Sequence, residues 1–287
     1  YMPDQVMVTG VDEQGTTHHD LLSQPIGDLD LEGMPVVVAD LHSSLPAVLA
    51  GLRSPDGVRQ PRVVYVMTDG GALPLAYSRL VAALSEAGWL AGTVTAGQAW
   101  GGDIEAVSIH NALLAARHVL HADAAIVIQG PGNLGTETPW GFSGVACGDA
   151  VNAIATLGGR PVACLRVSQA DARPRHLGIS HHSMTAYGRV ALAGADVVVP
   201  ILEGALGVQV RREAEVLCEP RPGAAQHRLV EVPADGLMEL LRAAEAETGV
   251  RLSTMRRGLD EDTAAFIAAA AAGRHVRRIL DAEAVHG

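Results

Sequence analysis

Short apolar runs alternate with longer amphipathic stretches through the middle of the chain. The runs are rich in Val and Ile and lack a strict every-second-residue alternation, which is typical of strands buried on both faces. Between them lie stretches of roughly 10–18 residues with the spacing of helices. The predicted strands are 36–40, 62–69, 91–97, 124–129, 160–168 and 195–200. This alternation predicts an open, doubly wound, mostly parallel α/β sheet of Rossmann-like type.

The two ends of the chain follow other patterns. Residues 1–35 contain a glycine-turned segment, QVMVTGVDEQG, and then a polar stretch. With no initiating Met, we interpret this part as the remnant of a small N-terminal β module from a longer protein. Residues 36–287 are expected to form the α/β domain, with a core at 36–200 and a C-terminal extension at 201–287.

The extension is expected to end in a helical closure. Its first part, 206–232, is strand-like, and the predicted helices are 235–248 and 260–283. Asp260 or Asp262 is the predicted N-cap of the second helix, because an aspartate accepts hydrogen bonds from the free N–H groups at a helix start.

Composition excludes several classes of protein. All 21 basic residues are Arg, so a Schiff-base enzyme, a pyridoxal-phosphate enzyme and a P-loop NTPase are excluded, because each needs a lysine. A net charge of −11 without a basic run argues against nucleic acid or a membrane as partner.

Cys147, Cys164 and Cys218 are predicted to be buried free thiols. With no signal peptide or membrane-spanning run, we expect a cytoplasmic protein.

The predicted site lies at one edge of the sheet. In an open parallel sheet, ligands bind beyond the carboxyl ends of the strands. The loops expected at that edge are rich in glycine, histidine and single acids, whereas the loops at the opposite edge look like plain turns. The five loops are DLHSS, TDGGALP, TAGQAWGGDIE, QGPGNLGTETPWGFSG and SQADARPRHLGISHHS.

Four side chains are candidate catalytic residues. His181 and His182 are adjacent at a predicted helix start, and neighbours on a regular helix do not share a face, so at most one should be a base or a metal ligand. His42 follows another strand. Asp69 ends a third strand, where its carboxylate could bind a ligand hydroxyl or a metal, or cap a helix. Whether the protein binds a metal is left open, as is its cofactor.

The longest of these loops has Gly130, Gly132 and Gly135 in G-x-G-x-x-G spacing. A dinucleotide site also needs a helix opening within the motif and an acid about 20 residues later, neither of which this sequence offers. NAD(P) is therefore not expected, and the glycines are interpreted as a backbone cradle for a ligand, with Trp140 as the apolar anchor of the loop. The other candidate ligand-binding residues are Gly70, Gly71, Asn133, Thr136, Thr138, Trp100 and Asp103, the last of which also fits a helix N-cap.

The chain resembles, over nearly its whole length, a mainly actinobacterial family known as domain of unknown function family 3866. The blocks that carry the resemblance are MPVVVADLHSSLPAV, VMTDGGALPLA, AWGGDIEAV, QGPGNLGTETPWGFSG, GISHHSMTAYGRVAL and MRRGLDEDTAAFIAAAAAG. It implies no activity, cofactor or catalytic residue. More faintly, the order of strand, GPGN loop, helix, GGRPVACLRV and ALAGADVVV is similar to the α/β part of the substrate-binding subunits of glycine reductase, without a cysteine at their pyruvoyl-forming position.

The sequence therefore predicts an enzyme of unknown reaction that acts on a small polar or anionic molecule. The alternatives are a non-catalytic ligand-binding or assembly protein and a protein like the glycine reductase subunits. Association into a homo-oligomer is a further expectation.

Overall fold

The structure is a computed structural model that describes residues 17–53, 59–71 and 73–286. Its strands are β1 Pro35–Ala39, β2 Val63–Thr68, β3 Gly92–Ala96, β4 Ile104–Ala106, β5 Ala124–Gln129, β6 Arg160–Cys164, β7 Val167–Ser168, β8 Gly178–Ile179, β9 Asp196–Ile201, β10 Arg228–Pro233, β11 Ser253–Thr254 and β12 Arg257–Gly258. Its helices are α1 His19–Leu22, α2 Leu45–Leu52, α3 Arg79–Glu86, α4 Ile109–Leu114, α5 Ala146–Thr156, α6 His181–Thr185, α7 Gly204–Leu217, α8 Leu237–Thr248 and α9 Thr263–His286.

Eight strands form one sheet in the order β10-β9-β6-β1-β5-β2-β3-β4, and every neighbouring pair is parallel. Helices α2, α3, α8 and α9 pack mainly on one face, and α4, α5, α6 and α7 on the other. All residues of β1 and β5 are buried, which explains why their sequences are continuously apolar. The predicted doubly wound α/β fold is confirmed.

Two predicted strands differ from the structure. Residues 160–168 are not one strand: β6 ends at Cys164, and β7 turns out of the sheet to pair with β8 in a small antiparallel hairpin. The first part of the strand-like region 206–232 is helix α7. Its buried residues Val210, Ala214 and Leu217 follow helical spacing, so they share one face of a helix. The second part forms β10, as predicted.

The predictions for the rest of the extension and for the cysteines are confirmed. The two C-terminal helices are α8 and α9, and Cys147, Cys164 and Cys218 are free and buried. The predicted N-terminal β segment lies outside the described residues, apart from 17–35, where α1 is found. Within the described part of the chain, no helix has the length and apolar character that crossing a membrane requires.

The strand order creates a switch point between β1 and β5. The chain leaves β1 for α2 on one face of the sheet and leaves β5 for α5 on the other, and such a point is where open α/β sheets bind ligands. Ala39 pairs with Ile128 of β5 and with Cys164 of β6. Asp40 and Gln129 therefore lie next to each other where the two strands end. Since these strands are all parallel, the five glycine- and histidine-rich loops follow them at one edge, as predicted.

Candidate functional site

Asp40, which directly follows β1, is the centre of the site. Its side chain is 4% exposed, and its Oδ2 lies 3.0 Å from Nδ1 of His182 and 3.4 Å from Nη1 of Arg166. Gln129 donates from Nε2 to the backbone oxygen of Asp40 at 2.9 Å and to its Oδ1 at 3.1 Å. Residues that follow or end three neighbouring strands, together with the start of α6, thus converge on one buried carboxylate.

Gly144 makes room for this carboxylate. It lies in the 3₁₀ turn just before α5, and a Cβ atom at this position would be 2.0 Å from Oδ1 of Asp40. No other residue could therefore replace Gly144 without moving Asp40 or the turn.

Asp40 is ionised at neutral pH. Burial alone would raise the pKa of its carboxyl group, but the hydrogen bond from His182 and the guanidinium of Arg166 outweigh burial and hold that pKa below its usual value. Nη1 of Arg166 lies 3.3 Å from Nδ1 of His182, but a ring nitrogen cannot donate and accept at once. The shorter contact with the carboxylate makes Nδ1 the donor to Asp40, so Nε2 is the ring nitrogen that remains for another partner.

Arg166 belongs to a buried chain of alternating charges. Its Nη2 lies 3.8 Å from Asp171, Asp171 lies 3.2 Å from Arg257, and Arg257 lies 2.9 Å from Asp262. The carboxylate of Asp262 binds this network through Arg257 and also accepts hydrogen bonds from the Ser168 hydroxyl and the Gln169 N–H, while its role as the N-cap of α9 stays a prediction. Both carboxylate contacts of Arg166, at 3.4 and 3.8 Å, exceed the roughly 2.7–2.9 Å of a close charge-assisted hydrogen bond, so its donors are not saturated.

Three imidazole rings lie beside Asp40. The ring centroids of His176, His181 and His182 are 5.0, 5.0 and 4.5 Å apart, and one ring nitrogen of each lies within 4.8 Å of the others. Phe142 stacks on His182 with centroids 3.8 Å apart and 5° between the ring planes. That at most one of the adjacent histidines is a base or a metal ligand stays a prediction, although their rings lie 4.5 Å apart at the start of α6, where His181 follows the N-cap Ser180.

The environment keeps two of these rings neutral. Burial, followed by the positive charges of Arg166 and Arg173, lowers the pKa of His176 to about 3. Burial, together with the positive charges of Arg175 and Arg166, also lowers the pKa of His181. A neutral imidazole has one nitrogen with a lone pair, which is the form that accepts a proton or binds a metal.

Two predicted catalytic residues lie apart from this cluster. Nδ1 of His42 is 3.0 Å from the Tyr65 hydroxyl and Nε2 is 2.6 Å from the Ser78 hydroxyl, so both nitrogens are occupied, and burial lowers the pKa of His42 to about 4. Asp69 is exposed after β2, which is two strands, or about 10 Å, from β1. The structure thus brings His181 and His182 to the site, while catalytic roles for His42 and Asp69 stay predictions.

Many polar groups of the loop after β5 form hydrogen bonds with other groups of the same loop. Thr136 donates from its backbone N–H to Gly141 at 2.7 Å, and its hydroxyl lies 3.0 Å from that of Thr138, which accepts from the Gly141 N–H at 3.1 Å. Asn133, in contrast, accepts a hydrogen bond from Gln129 and so connects the loop to the site. Among the predicted ligand-binding groups of this loop, the Asn133 side chain has the most direct link to Asp40.

Trp140 does not anchor this loop, so that prediction is wrong. Trp140 is 61% exposed, whereas Phe142 is 7% exposed and covers His182. The reason is the path of the chain: Ser143 donates to the backbone oxygen of Leu134 at 2.9 Å, so the loop closes next to Phe142, and Trp140 lies on its outer part. Helix α5 begins only at Ala146, after the whole loop, so no helix opens within the glycine motif as in a dinucleotide site.

The predicted glycines occupy different environments at this edge of the sheet. Gly70 and Gly130 are buried, and Gly70 packs against the side chain of Gln129. Gly71 lies against the backbone of the β5 loop, where Gly135 forms an isolated bridge with Phe142. Gly132 is exposed with φ of +95°, a conformation that residues with a Cβ atom rarely adopt. Their roles in ligand binding stay predictions.

Asp103 and Trp100 lie around β3, farther from Asp40. The Asp103 carboxylate accepts hydrogen bonds from the backbone N–H and the hydroxyl of Thr93, at 2.8 and 2.9 Å. It is not the cap of the following helix, because β4 intervenes and Ser108 caps α4. Trp100 is partly buried and accepts a backbone hydrogen bond from Leu75 at 2.9 Å.

Sequence reasoning missed four residues of the site: Asp40, Gln129, Arg166 and His176. Each leaves a signal in the sequence. Asp40 and Gln129 are polar residues that close fully buried strands, and Arg166 is a charge inside the apolar run RPVACLRVS. His176 completes three histidines within seven residues, in HLGISHH.

The fold and the site together define a doubly wound α/β protein with a buried Asp, His and Arg cluster at its switch point. By comparison with protein-family models, residues 1–273 match the family described as Protein of unknown function (DUF3866), and the chain belongs to this family. No curated protein and no solved structure matches the chain. The predicted family is thus confirmed, while the similarity to glycine reductase subunits stays a prediction.

Proposed function

We propose that this protein is an enzyme that acts on a small polar or anionic molecule at the switch point of its sheet. The observation that carries the proposal is the buried carboxylate of Asp40, which lies 3.0 Å from His182 and 3.4 Å from Arg166. Clusters of this kind, with shifted pKa values in a crevice, are typical of catalytic sites.

Each of three side chains has a proposed role. Arg166 binds the negative part of the substrate, because its planar donors suit carboxylate and phosphate oxygens and its own carboxylate contacts are long. Gln129 orients Asp40, because its Nε2 donates to the backbone oxygen and to Oδ1 of that residue at 2.9 and 3.1 Å. His182, oriented through Nδ1 by Asp40, presents Nε2 to the reacting group.

Binding of two probe anions, inorganic phosphate and oxalate, tests the first role. We expect titration calorimetry to show saturable binding to the wild type and at least about tenfold weaker binding to Arg166→Gln, the loss of roughly 1.4 kcal/mol for one charge-assisted contact. Arg160→Gln is the matched control, because Arg160 begins the same strand β6 at the opposite edge and is 53% exposed. If neither anion binds, or if both variants bind like the wild type, the proposal is wrong.

Turnover separates an enzyme from a non-catalytic binding protein. Wild-type protein is incubated with a set of phosphate esters, carboxylate esters and 2-oxo acids, and products are followed by NMR spectroscopy. We expect one class to be converted by the wild type and by His118→Gln, a variant near the opposite edge, but not by His182→Gln. Binding without conversion of any class would favour the binding-protein alternative.

Other properties of the protein are also proposals. Three buried free thiols fit a reducing compartment and support a cytoplasmic location. The exposed Leu134 and Trp140 on the β5 loop support association of the chain into a homo-oligomer. The net charge of −11 supports a small-molecule ligand rather than nucleic acid or a membrane surface. A mainly actinobacterial distribution of the family belongs with these proposals.

A further inference from the structure

We propose that His176, His181 and His182 bind one divalent transition-metal ion, with Zn²⁺ as the best match to three imidazole ligands. The ion would keep an open position toward the crevice, as catalytic zinc sites with three protein ligands do. That this position takes part of an anionic substrate rests on the proposed function. The metal site itself rests only on the three rings and their surroundings.

Hydrogen bonds determine which nitrogen each ring offers. Nδ1 of His182 is bound to Asp40 at 3.0 Å, and Nδ1 of His176 lies 2.6 Å from the Ser180 hydroxyl, so both rings keep Nε2 for an ion. Nε2 of His181 is buried and has no hydrogen-bond partner in the part of the chain that the structure describes. A buried nitrogen without a partner is costly, and coordination of a metal would satisfy it.

The geometry is close to that of a coordination shell. Zinc–nitrogen bonds of about 2.0–2.1 Å in a tetrahedral site place the ligand nitrogens about 3.3 Å apart. One nitrogen of each of the three rings already lies within 4.8 Å of the others. Rotations of the side chains that close at most about 1.5 Å would therefore complete the shell.

The backbone fixes the segment that carries the ligands. Ser180 donates its N–H to the carbonyl of Arg166 at 2.8 Å, and Arg166 donates its N–H to the Ser183 hydroxyl at 2.9 Å. All three ligands lie within seven residues, so binding an ion closes only a short loop and costs little chain entropy. His176 is 1% exposed, while His181 and His182 are partly exposed and give the ion a route from solvent.

The charges around the cluster also fit. Asp40 and Asp171 offset the nearby Arg166 and Arg173, so the charge of a divalent ion would remain available to an anion at its open position. Asp40 bound to Nδ1 of His182 completes a carboxylate, histidine and metal arrangement, in which the carboxylate orients the ligand and strengthens it as a base. Such an ion would supply an acidified water beside Arg166.

Calorimetry with Zn²⁺, and the visible spectrum with Co²⁺, test this site on the full chain purified without a histidine tag and treated with a chelator. We expect one equivalent of Zn²⁺ to bind, and Co²⁺ to show the intense absorption of a four- or five-coordinate site. His176→Gln and His181→Gln should each lose the stoichiometric site. Asp40→Asn should keep it with about 10- to 100-fold weaker affinity.

His110→Gln is the matched control, because His110 is exposed on α4. It should bind Zn²⁺ like the wild type. His181→Gln should also keep the circular dichroism spectrum and the metal-free stability of the wild type, since Nε2 of His181 has no hydrogen bond to lose. The metal site is wrong if the wild type binds less than one equivalent, or if His181→Gln binds Zn²⁺ as tightly as the His110→Gln control.

The two proposals fail in different ways. Zinc binding by a protein that binds neither phosphate nor oxalate, with or without the ion, would leave the metal site standing and overturn the proposed substrate class. Binding of these anions without any zinc binding would have the opposite meaning.

Discussion

At both edges of the sheet an Asp carboxylate contacts a His and an Arg, but the two trios differ in what surrounds them. At the amino edge, Asp196 begins β9, and its carboxylate lies 2.7 Å from Nε2 of His275 on α9 and 2.7 Å from Nε of Arg228 on β10. These three residues, the amino-edge trio, join two strands and the C-terminal helix. Arg228 is 68% exposed, so we interpret this trio as a structural ion-paired contact, a clamp that holds β9, β10 and α9 together close to solvent.

Asp40, His182 and Arg166, the carboxyl-edge trio, have the same composition and a different setting. Arg166 is 7% exposed, its contacts with carboxylates are longer, and the trio lies at the switch point beside two further imidazoles, those of His176 and His181. Two buried polar atoms next to it, on Gln129 and His181, have no hydrogen-bond partner among the described residues. A carboxylate paired with a histidine is therefore not a site by itself. Position in the fold and unused hydrogen-bonding capacity distinguish a candidate site from a clamp.

The largest expected difference between the trios is in stability at neutral pH. Asp40→Asn should lower the free energy of unfolding by about 3–5 kcal/mol, because it leaves the buried Arg166 with one distant carboxylate. Asp196→Asn should cost only about 2 kcal/mol, because Arg228 can return to water. Urea denaturation of the two variants and the wild type measures both values. Equal losses would show that the two trios are energetically alike and would break the comparison.

A smaller effect is the loss of folding stability from Asp196 at low pH. The hydrogen bonds and charges of His275 and Arg228 overcome the effect of burial and lower the pKa of Asp196 to about 2, from an ordinary value of 3.8. The folded state therefore holds this proton less tightly than the unfolded chain does. The stability from Asp196 is complete above pH 3.8 and is lost as the pH falls through about 2, up to about 2 kcal/mol.

The difference in unfolding free energy between wild type and Asp196→Asn measures this contribution from pH 5 down to pH 2. It should shrink as the pH falls. A difference that stays constant over this range would contradict the lowered pKa, and with it the interpretation of the amino-edge trio as an ion-paired clamp.

The sequence predicts the fold of the molecule better than it predicts which residues form the site. Buried parallel strands have continuous apolar runs, so β1, β5 and the edge at which their loops lie are predictable. The sequence predicts a strand where helix α7 lies, because the spacing of its valines fits both the two-residue period of a strand and the 3.6-residue period of a helix. Only the packing of Val210 and Leu217 against the sheet decides between them.

The partner of His182 could not be read from local sequence. Asp40 and Asp69 both follow buried strands, and what separates them is the order of strands, which places β1 beside β6 and β2 two positions from β1. Strand order depends on contacts between distant parts of the chain. Local sequence also does not show which of Phe142 and Trp140 faces inward, because that depends on where the loop closes.

The smallest expected effects come from these two aromatic residues, and they sharpen the comparison because Phe142 covers a histidine of the carboxyl-edge trio. Phe142→Leu should lower the unfolding free energy by about 1–2 kcal/mol, since it keeps most of the apolar volume but removes the ring stacked on His182. Trp140→Ala should change it by less than about 0.5 kcal/mol, because Trp140 is 61% exposed. Thermal and urea unfolding compare the variants. A larger loss for Trp140→Ala than for Phe142→Leu would mean that Trp140 anchors the loop after all, and that His182 is held by Asp40 without help from the ring above it.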